Sequence, residues 1–275
     1  MTEPPPVTRT ELRSDLRRLG LMAGSVVMLH CRMSAIGWVT GGSETVVGAL
    51  LDVLGPTGTV LALTGWEQDP YDLDEWPEPR RAAYLEDPPA FDPLLSESQR
   101  DFGRLSERIR TWPGAHRSTH PEASFAAVGR RAAWLTSDQP RDHPYGPGSP
   151  LEKLVEAEGR VLMLGAPLET ITVLHYAEEL ARVPNKIGVI YRAPVRTSEG
   201  IDWWTIHDID TSKGAFDYES VVPPGTDAFE VIGREAFDAG IGVRGKVGQA
   251  DSYLFPGAEL VRFAVTWMEE RFARR

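Results

Sequence analysis

Short apolar runs alternate with amphipathic stretches along this chain, and that rhythm predicts an α/β fold. Residues 26–30, 59–64, 124–128 and 160–165 are runs of strand length, apolar nearly throughout and bounded by turn residues. Such continuous runs suit strands buried on both faces. Between the first two, residues 44–54 place apolar side chains at helical spacing, with Ser43 at the N-cap position and Glu44 in the first turn. Gly55-Pro56-Thr57-Gly58 then turns the chain. A strand–loop–helix–strand unit of this kind closes a parallel pair. Further helices are expected over 8–19, with Thr10 or Ser14 as caps, and over 102–110, 132–135, 229–239 and 258–272. Another, over 151–157, starts behind Ser149-Pro150. Residues 189–195 and 201–206 predict a β-hairpin around Ser198-Glu199-Gly200, and 252–254 a strand after a turn through Gly248. The expected architecture is one α/β domain over 1–275, with a mainly parallel or mixed central sheet flanked by helices.

Residues 66–99 break the rhythm. They hold ten acids, among them Glu67, Asp69, Asp72 and Glu97, interleaved with Trp66, Tyr71, Trp76, Tyr84 and Phe91. Prolines at 70, 77, 79, 88, 89 and 93 argue against a long helix. The aromatics argue against disorder, and loops of this length in compact domains are often functional. An acidic, aromatic insertion can wall a site for a polycation; the alternative is a solvated insertion without chemistry. The net charge of −11 weighs against nucleic acid as a partner and leaves cationic small molecules or simple solubility. Cys31 is the single cysteine, so no internal disulfide forms and a reducing compartment is expected. Residues 1–7 are Pro-rich without an apolar signal core. No apolar run approaches the roughly 20 residues that span a bilayer. These features predict a cytoplasmic protein with no membrane partner.

Candidate chemistry gathers in residues 165–183, where a turn through Ala166-Pro167 leads from a strand into a helix. His175 stands near the helix start, and Thr172 and Glu178, three residues to either side, can share its face. The positive end of a helix dipole favours a neutral imidazole, which suits a general base. Six histidines are present, but there is no His-Glu-x-x-His and no cysteine pair, so no zinc signature and no expected metal. His175 and Glu178 read as a packed or solvated pair rather than as metal ligands. Gly-x-Ser-x-Gly is absent and Cys31, in a mostly hydrophobic stretch beside Arg32, carries no nucleophile signature, which leaves no candidate acyl nucleophile. The glycine-bearing loop 34–42 matches neither a Walker loop nor a dinucleotide fingerprint; it can admit phosphate or amide groups to the backbone, or serve only as a turn. The residues themselves leave His175 as a base, hydroxyls at Thr170 and Thr172, and carboxylates at Glu169, Asp208 and Asp210.

Several short stretches, in order along nearly the whole chain, resemble one family. They are Val27-Met28-Leu29-His30 through Ser34, with Gly37 and Gly41-Gly42; Gly55-Pro56-Thr57-Gly58-Thr59-Val60; Trp66-Glu67; and the run from Arg117-Ser118-Thr119-His120 to Ser124. Tyr145-Gly146-Pro147-Gly148-Ser149-Pro150-Leu151, residues 161–168, residues 172–178 and Asp208-Ile209-Asp210-Thr211-Ser212 complete the set. Together they resemble the aminoglycoside 3-N-acetyltransferases, the antibiotic N-acetyltransferase family distinct from the GNAT fold, and within it the branch acting on gentamicin-like deoxystreptamine drugs. Cys31-Arg32-Met33 departs from the small or hydroxylic residues many relatives carry there.

The resemblance implies antibiotic resistance through acetyl transfer from acetyl-CoA, a cosubstrate, to the 3-amino group of the 2-deoxystreptamine ring of a cationic aminoglycoside, by direct attack in a ternary complex. His175 is then the base, Glu169 or Asp210 its carboxylate partner, and Thr172 a donor to the developing oxyanion. Arg32, Ser34, Gly37, Gly41, Gly42 and Ser118 are implied along CoA, with Arg117 a further cation. Glu67, Asp69, Asp72, Glu97, His120 and Asp208 are implied around the drug. A monomer or homodimer is expected. The competing reading is a non-catalytic aminoglycoside- or polyamine-binding protein, or an acyltransferase for another amine; release of CoA thiol separates the two.

Overall fold

The computed structural model describes residues 5–272, so part of the Pro-rich start, residues 1–4, lies outside it. Along the chain run α1 (Arg9–Arg18), β1 (Val26–Cys31), α2 (Met33–Ile36), α3 (Gly42–Leu54), β2 (Thr59–Leu63), α4 (Glu78–Glu86), α5 (Arg104–Arg110), β3 (His116–Arg117), β4 (Phe125–Gly129), α6 (Ala132–Thr136), α7 (Pro150–Glu156), β5 (Arg160–Leu164), α8 (Val173–Leu180), β6 (Gly188–Thr197), β7 (Gly200–Ile209), α9 (Ala228–Asp238), β8 (Val243–Val247), β9 (Ala250–Pro256) and α10 (Gly257–Phe272). Seven strands form one mixed sheet in the order β3-β4-β2-β1-β5-β9-β8, and β6 and β7 pair separately as a hairpin. Only β2, β1 and β5 are mutually parallel; the outer pairings are antiparallel.

The apolar runs explain the layering. Successive residues of a strand face opposite sides. Val26 and Met28 of β1 point into one core with Val161 and Met163 of β5, while Val27 and Leu29 point into the other with Leu162 and Leu164. Side chains of α6, α7, α8, α9 and α10 fill the first core, and those of α1, α3 and α5 the second. The result is helix, sheet and helix in three layers.

Several expected details differ. The α1 cap is Thr8, which forms a capping box with Glu11, rather than Thr10 or Ser14. Ser43 lies inside α3; its N-cap is Gly41, whose φ of 81° favours glycine. A Cβ on Gly41 would also meet Thr45 Oγ1 at 2.5 Å. β8 was absent from the sequence-based expectation because Arg244, Gly245 and Lys246 interrupt its apolar pattern; at the sheet edge it needs only the one partner, β9. The acidic stretch holds the nine-residue helix α4, since Pro77 caps it and Pro79 falls in its first turn, where proline costs no hydrogen bond.

The hairpin is longer than expected, ten residues in each strand. The acidic segment docks on it. The Phe91 N–H donates to the Pro194 carbonyl, and the Arg196 N–H to that of Phe91, both at 2.8 Å. Tyr71 packs on Tyr191 with ring centroids 4.7 Å apart, and Tyr84 on Trp203 at 6.4 Å. Among the described residues no helix is long and apolar enough to cross a membrane.

Candidate active site

β1 lies between β2 and β5 and parallel to both, and the chain reaches those neighbours across opposite faces of the sheet. Side chains at the carboxyl ends of such strands border a crevice, the usual ligand site of open α/β sheets. A cavity of about 1000 Å³ opens there. Leu29 to Ser34 line it from the end of β1, Leu63 and Trp66 from β2, and Ala166 and Pro167 from β5. The acidic segment adds Glu67, Asp69, Tyr71 and Asp72 as one wall, and the start of α8 adds Thr172 and His175 as another.

His175 is held on three sides. Its Nδ1 stands 2.7 Å from Glu178 Oε2, and the Tyr218 hydroxyl donates to Glu178 Oε1, also at 2.7 Å. Glu178 is 1 % exposed. The imidazole packs between Tyr145 and Phe229, at centroid distances of 5.1 and 4.9 Å. Helical spacing of three residues brings His175 and Glu178 together. The carboxylate on His175 is therefore Glu178, not Glu169 or Asp210. Glu169 is exposed on the cavity rim. Asp210 Oδ1 accepts from the Ser212 N–H, the Ser212 hydroxyl and the Lys213 N–H. It shapes the turn that presents Thr211 and Ser212 to the cavity.

Buried acids gather on the cavity floor. Glu122 accepts from the Tyr145 hydroxyl at 3.0 Å, and burial pushes its carboxyl up to about 7 against the opposing influence of Tyr145 and His175. Burial, with repulsion from Glu122 and Asp72, holds Asp69 well above the usual carboxylate range. Glu67 pairs with Arg100 at 3.2 Å, and Asp72 accepts from the Trp76 indole at 2.7 Å. At the cavity mouth, Arg32 and Ser34 are exposed, and Arg104 faces them from the start of α5.

Other expected contacts fall outside the cavity lining. Gly37 and Gly41 shape turns: Gly37 has φ 94°, and a Cβ there would stand 2.5 Å from Gln249 Nε2. Gly42 opens α3. Ser118 is fully buried, its Oγ accepting from the Phe125 N–H, so it is not free for CoA. The Arg117 guanidinium is spent on the carbonyls of Gly65 and Ser96 and on Ser124 Oγ, fastening the acidic segment to the sheet. Glu97 is exposed away from the cavity. His120 is buried outside the lining rather than beside a drug, with Nδ1 accepting from the Ala123 N–H and Nε2 3.1 Å from the Arg141 carbonyl; burial holds it down to about 3. Asp208 is buried beside His143 and Glu179, outside the lining.

Sequence reasoning missed Glu122, Tyr145 and Phe229, and it missed His30, which lines the cavity with burial pushing its imidazole down to about 4. Glu122 and Tyr145 lie inside the stretches singled out above, so their places were visible but not their roles. Cys31 also reaches the cavity, and burial pushes its thiol up to about 12, the reverse of what activates a nucleophile.

Known proteins match nearly the whole length of the chain. The family model described as aminoglycoside 3-N-acetyltransferase matches residues 28–269. Aminoglycoside N(3)-acetyltransferase VII of Streptomyces paromomycinus is 53 % identical over 270 residues, covering 98 % of this chain and 94 % of the relative. The crystal structure of aminoglycoside acetyltransferase AAC(3)-Xa superposes with a TM-score of 0.95 at 50 % identity, covering 98 % of this chain and 95 % of the other. AAC-IIIb in binary complex with CoASH gives 0.90 at 43 %, covering 98 % of each chain. AAC-VIa bound to sisomicin gives 0.90 at 39 %, covering 98 % of this chain and all of the other.

Proposed function

Because this chain belongs to the aminoglycoside 3-N-acetyltransferase family, we propose that it moves the acetyl group of acetyl-CoA to the 3-amino group of the 2-deoxystreptamine ring of aminoglycosides, with His175 as general base, and so gives resistance. The observation that carries the reading is the Tyr218–Glu178–His175 chain of contacts, which ends in a cavity floored by acids.

An ammonium must lose a proton before it can attack a thioester. Glu178 accepts from Nδ1–H of His175, which leaves Nε2 with the lone pair to take that proton. The freed amine adds to the thioester carbonyl, and the Thr172 hydroxyl donates to the oxyanion that forms. Collapse breaks the carbon–sulfur bond. The thiolate of CoA leaves with the proton from the imidazolium, the regenerated imidazole takes the remaining proton from the acylated nitrogen and passes it to solvent, and the products are the amide, CoA thiol and one proton. Glu178 stabilises the imidazolium between the two proton transfers, and Tyr218 fixes the carboxylate. The drug's remaining ammonium groups pair with Asp69, Glu122, Asp72 and Glu67. Arg32, Ser34 and Arg104 at the mouth receive the pantetheine and phosphate side of CoA. The reaction runs in the cytoplasm, where acetyl-CoA is at hand and Cys31 stays reduced.

The test is CoA-thiol release with gentamicin, sisomicin and tobramycin. Turnover is expected with at least one of them, and His175→Ala should lower kcat by roughly 10²–10⁴-fold with the fold kept. Drug binding without thiol release would replace this reading with sequestration. Near wild-type kcat in His175→Ala would remove His175 as the base.

A further inference from the structure

On another side of α8 a second imidazole meets a second carboxylate. His143 Nδ1 stands 2.9 Å from Glu179 Oε1. Glu179 follows Glu178, so its side chain leaves the helix about 100° further round the axis. Asp208, next to the last residue of β7, closes the set: one ligand atom from each of His143, Glu179 and Asp208 lies within 4.8 Å of the others. Asp208 is only 3 % exposed. Its Oδ1 accepts from the Ile209 N–H at 2.8 Å, and its Oδ2 is buried without any hydrogen-bond donor. A buried carboxylate oxygen left so is costly unless something positive meets it. The Lys186 ammonium donates to the Glu179 backbone carbonyl at 2.6 Å and attracts the Glu179 carboxylate, but it makes no hydrogen bond to Asp208 Oδ2. β7 and the loop before α7 are already tied together. The His143 N–H donates to the His207 carbonyl, and the His207 N–H to Asp142 Oδ1, both at 2.8 Å.

We propose that His143, Glu179 and Asp208 form a binding site for one divalent transition-metal ion of the zinc class. One imidazole with two carboxylates suits Zn²⁺ and its first-row neighbours, whereas Mg²⁺ and Ca²⁺ favour all-oxygen shells. Ligands held about 2.1 Å from such an ion stand roughly 3.0–3.5 Å apart. The separation of 2.9 Å between His143 and Glu179 falls just short of that spacing, and Asp208 offers an oxygen within 4.8 Å of both, so modest side-chain adjustment is what the ion would require. None of the three lines the main cavity. The ion would clamp the loop before α7, the hairpin and α8 together behind the His175–Glu178 pair. Local sequence patterns could not reveal the set, because its members are far apart in the chain and meet only through tertiary structure.

The experiment uses the full-length protein stripped of metal and titrated with Zn²⁺ by calorimetry, with Mg²⁺ as a control and Co²⁺ absorbance to report the imidazole ligand. The expected result is one Zn²⁺ per chain, a melting midpoint raised by several degrees, and no comparable binding of Mg²⁺. His143→Ala, a change at a half-exposed side chain that leaves the core intact, should abolish both the binding and the shift. Asp208→Asn should weaken binding at least tenfold, and His116→Ala, remote from the set in sequence, should leave it unchanged. Absence of saturable Zn²⁺ binding, or binding that survives His143→Ala, overturns the proposal and leaves the His143–Glu179 contact as a surface ion pair.

Discussion

Two consecutive glutamates of α8 each meet a histidine, Glu178 with His175 at 2.7 Å and Glu179 with His143 at 2.9 Å. The chemical pair is the same, but the settings are not. The His175 side chain is 18 % exposed, and its carboxylate is sealed and gripped by Tyr218; the His143 side chain is 53 % exposed. One helix turns a single residue step into two environments, because neighbouring positions point to different sides of its axis. Residue type and spacing alone do not make a catalytic pair. Burial, a third group that orients the carboxylate, and an opening toward a substrate-sized cavity set the first pair apart.

The comparison can be broken most directly at Glu178. Glu178→Gln keeps the shape and leaves an oxygen or amide for Tyr218, but it no longer offers a negative charge to the imidazolium. Turnover is expected to fall by about 10²-fold or more, measured as kcat with saturating drug and acetyl-CoA. A fall no larger than threefold would make the two pairs equivalent.

Glu122 sharpens the contrast, being an acid buried beside His175 but bonded to Tyr145. Its folded value of about 7 lies above the ordinary 4.5. The folded state therefore binds more protons than the unfolded state between those values, and stability falls as pH rises through that window. The favourable protonated form is fully present below about 4.5 and lost above about 7. Glu122→Gln should leave stability at pH 4 nearly unchanged and raise it at pH 8 by up to roughly 3 kcal/mol, read from denaturant melts at the two values. Equal effects at both would show that Glu122 stays ionised or protonated throughout. The smallest effect belongs to the exposed pair. In metal-free protein His143→Ala should cost no more than about 1 kcal/mol; a larger loss in the same melts would place that pair among the structural anchors of α8.

The strands that bear the cavity were legible because β1, β2 and β5 are covered on both faces and so read as unbroken apolar runs. His175 was legible from its place after a strand and a turn. Its partner was in view at the right helical spacing, yet the family resemblance drew attention to Glu169 and Asp210. What separates the three carboxylates is solvent and hydrogen bonding: Glu178 is sealed, Glu169 is exposed, and Asp210 is occupied by Ser212 and Lys213. The same cause explains Ser118 and His120, polar residues whose hydrogen bonds are consumed by nearby backbone. Glu122 and Tyr145 were hidden because their meeting depends on packing between β4 and the loop before α7, which no local pattern encodes.

The hydrogen bonds that join Phe91 to Pro194 and Arg196 have an evolutionary consequence. They bind the acidic wall to the hairpin, whereas His175 and Glu178 stand on α8, beside the central sheet. Insertions, deletions or charge changes in residues 66–99 can therefore be sampled against a fixed chemical centre. Change in this appendage can proceed while the packing around the His175–Glu178 pair is inherited intact.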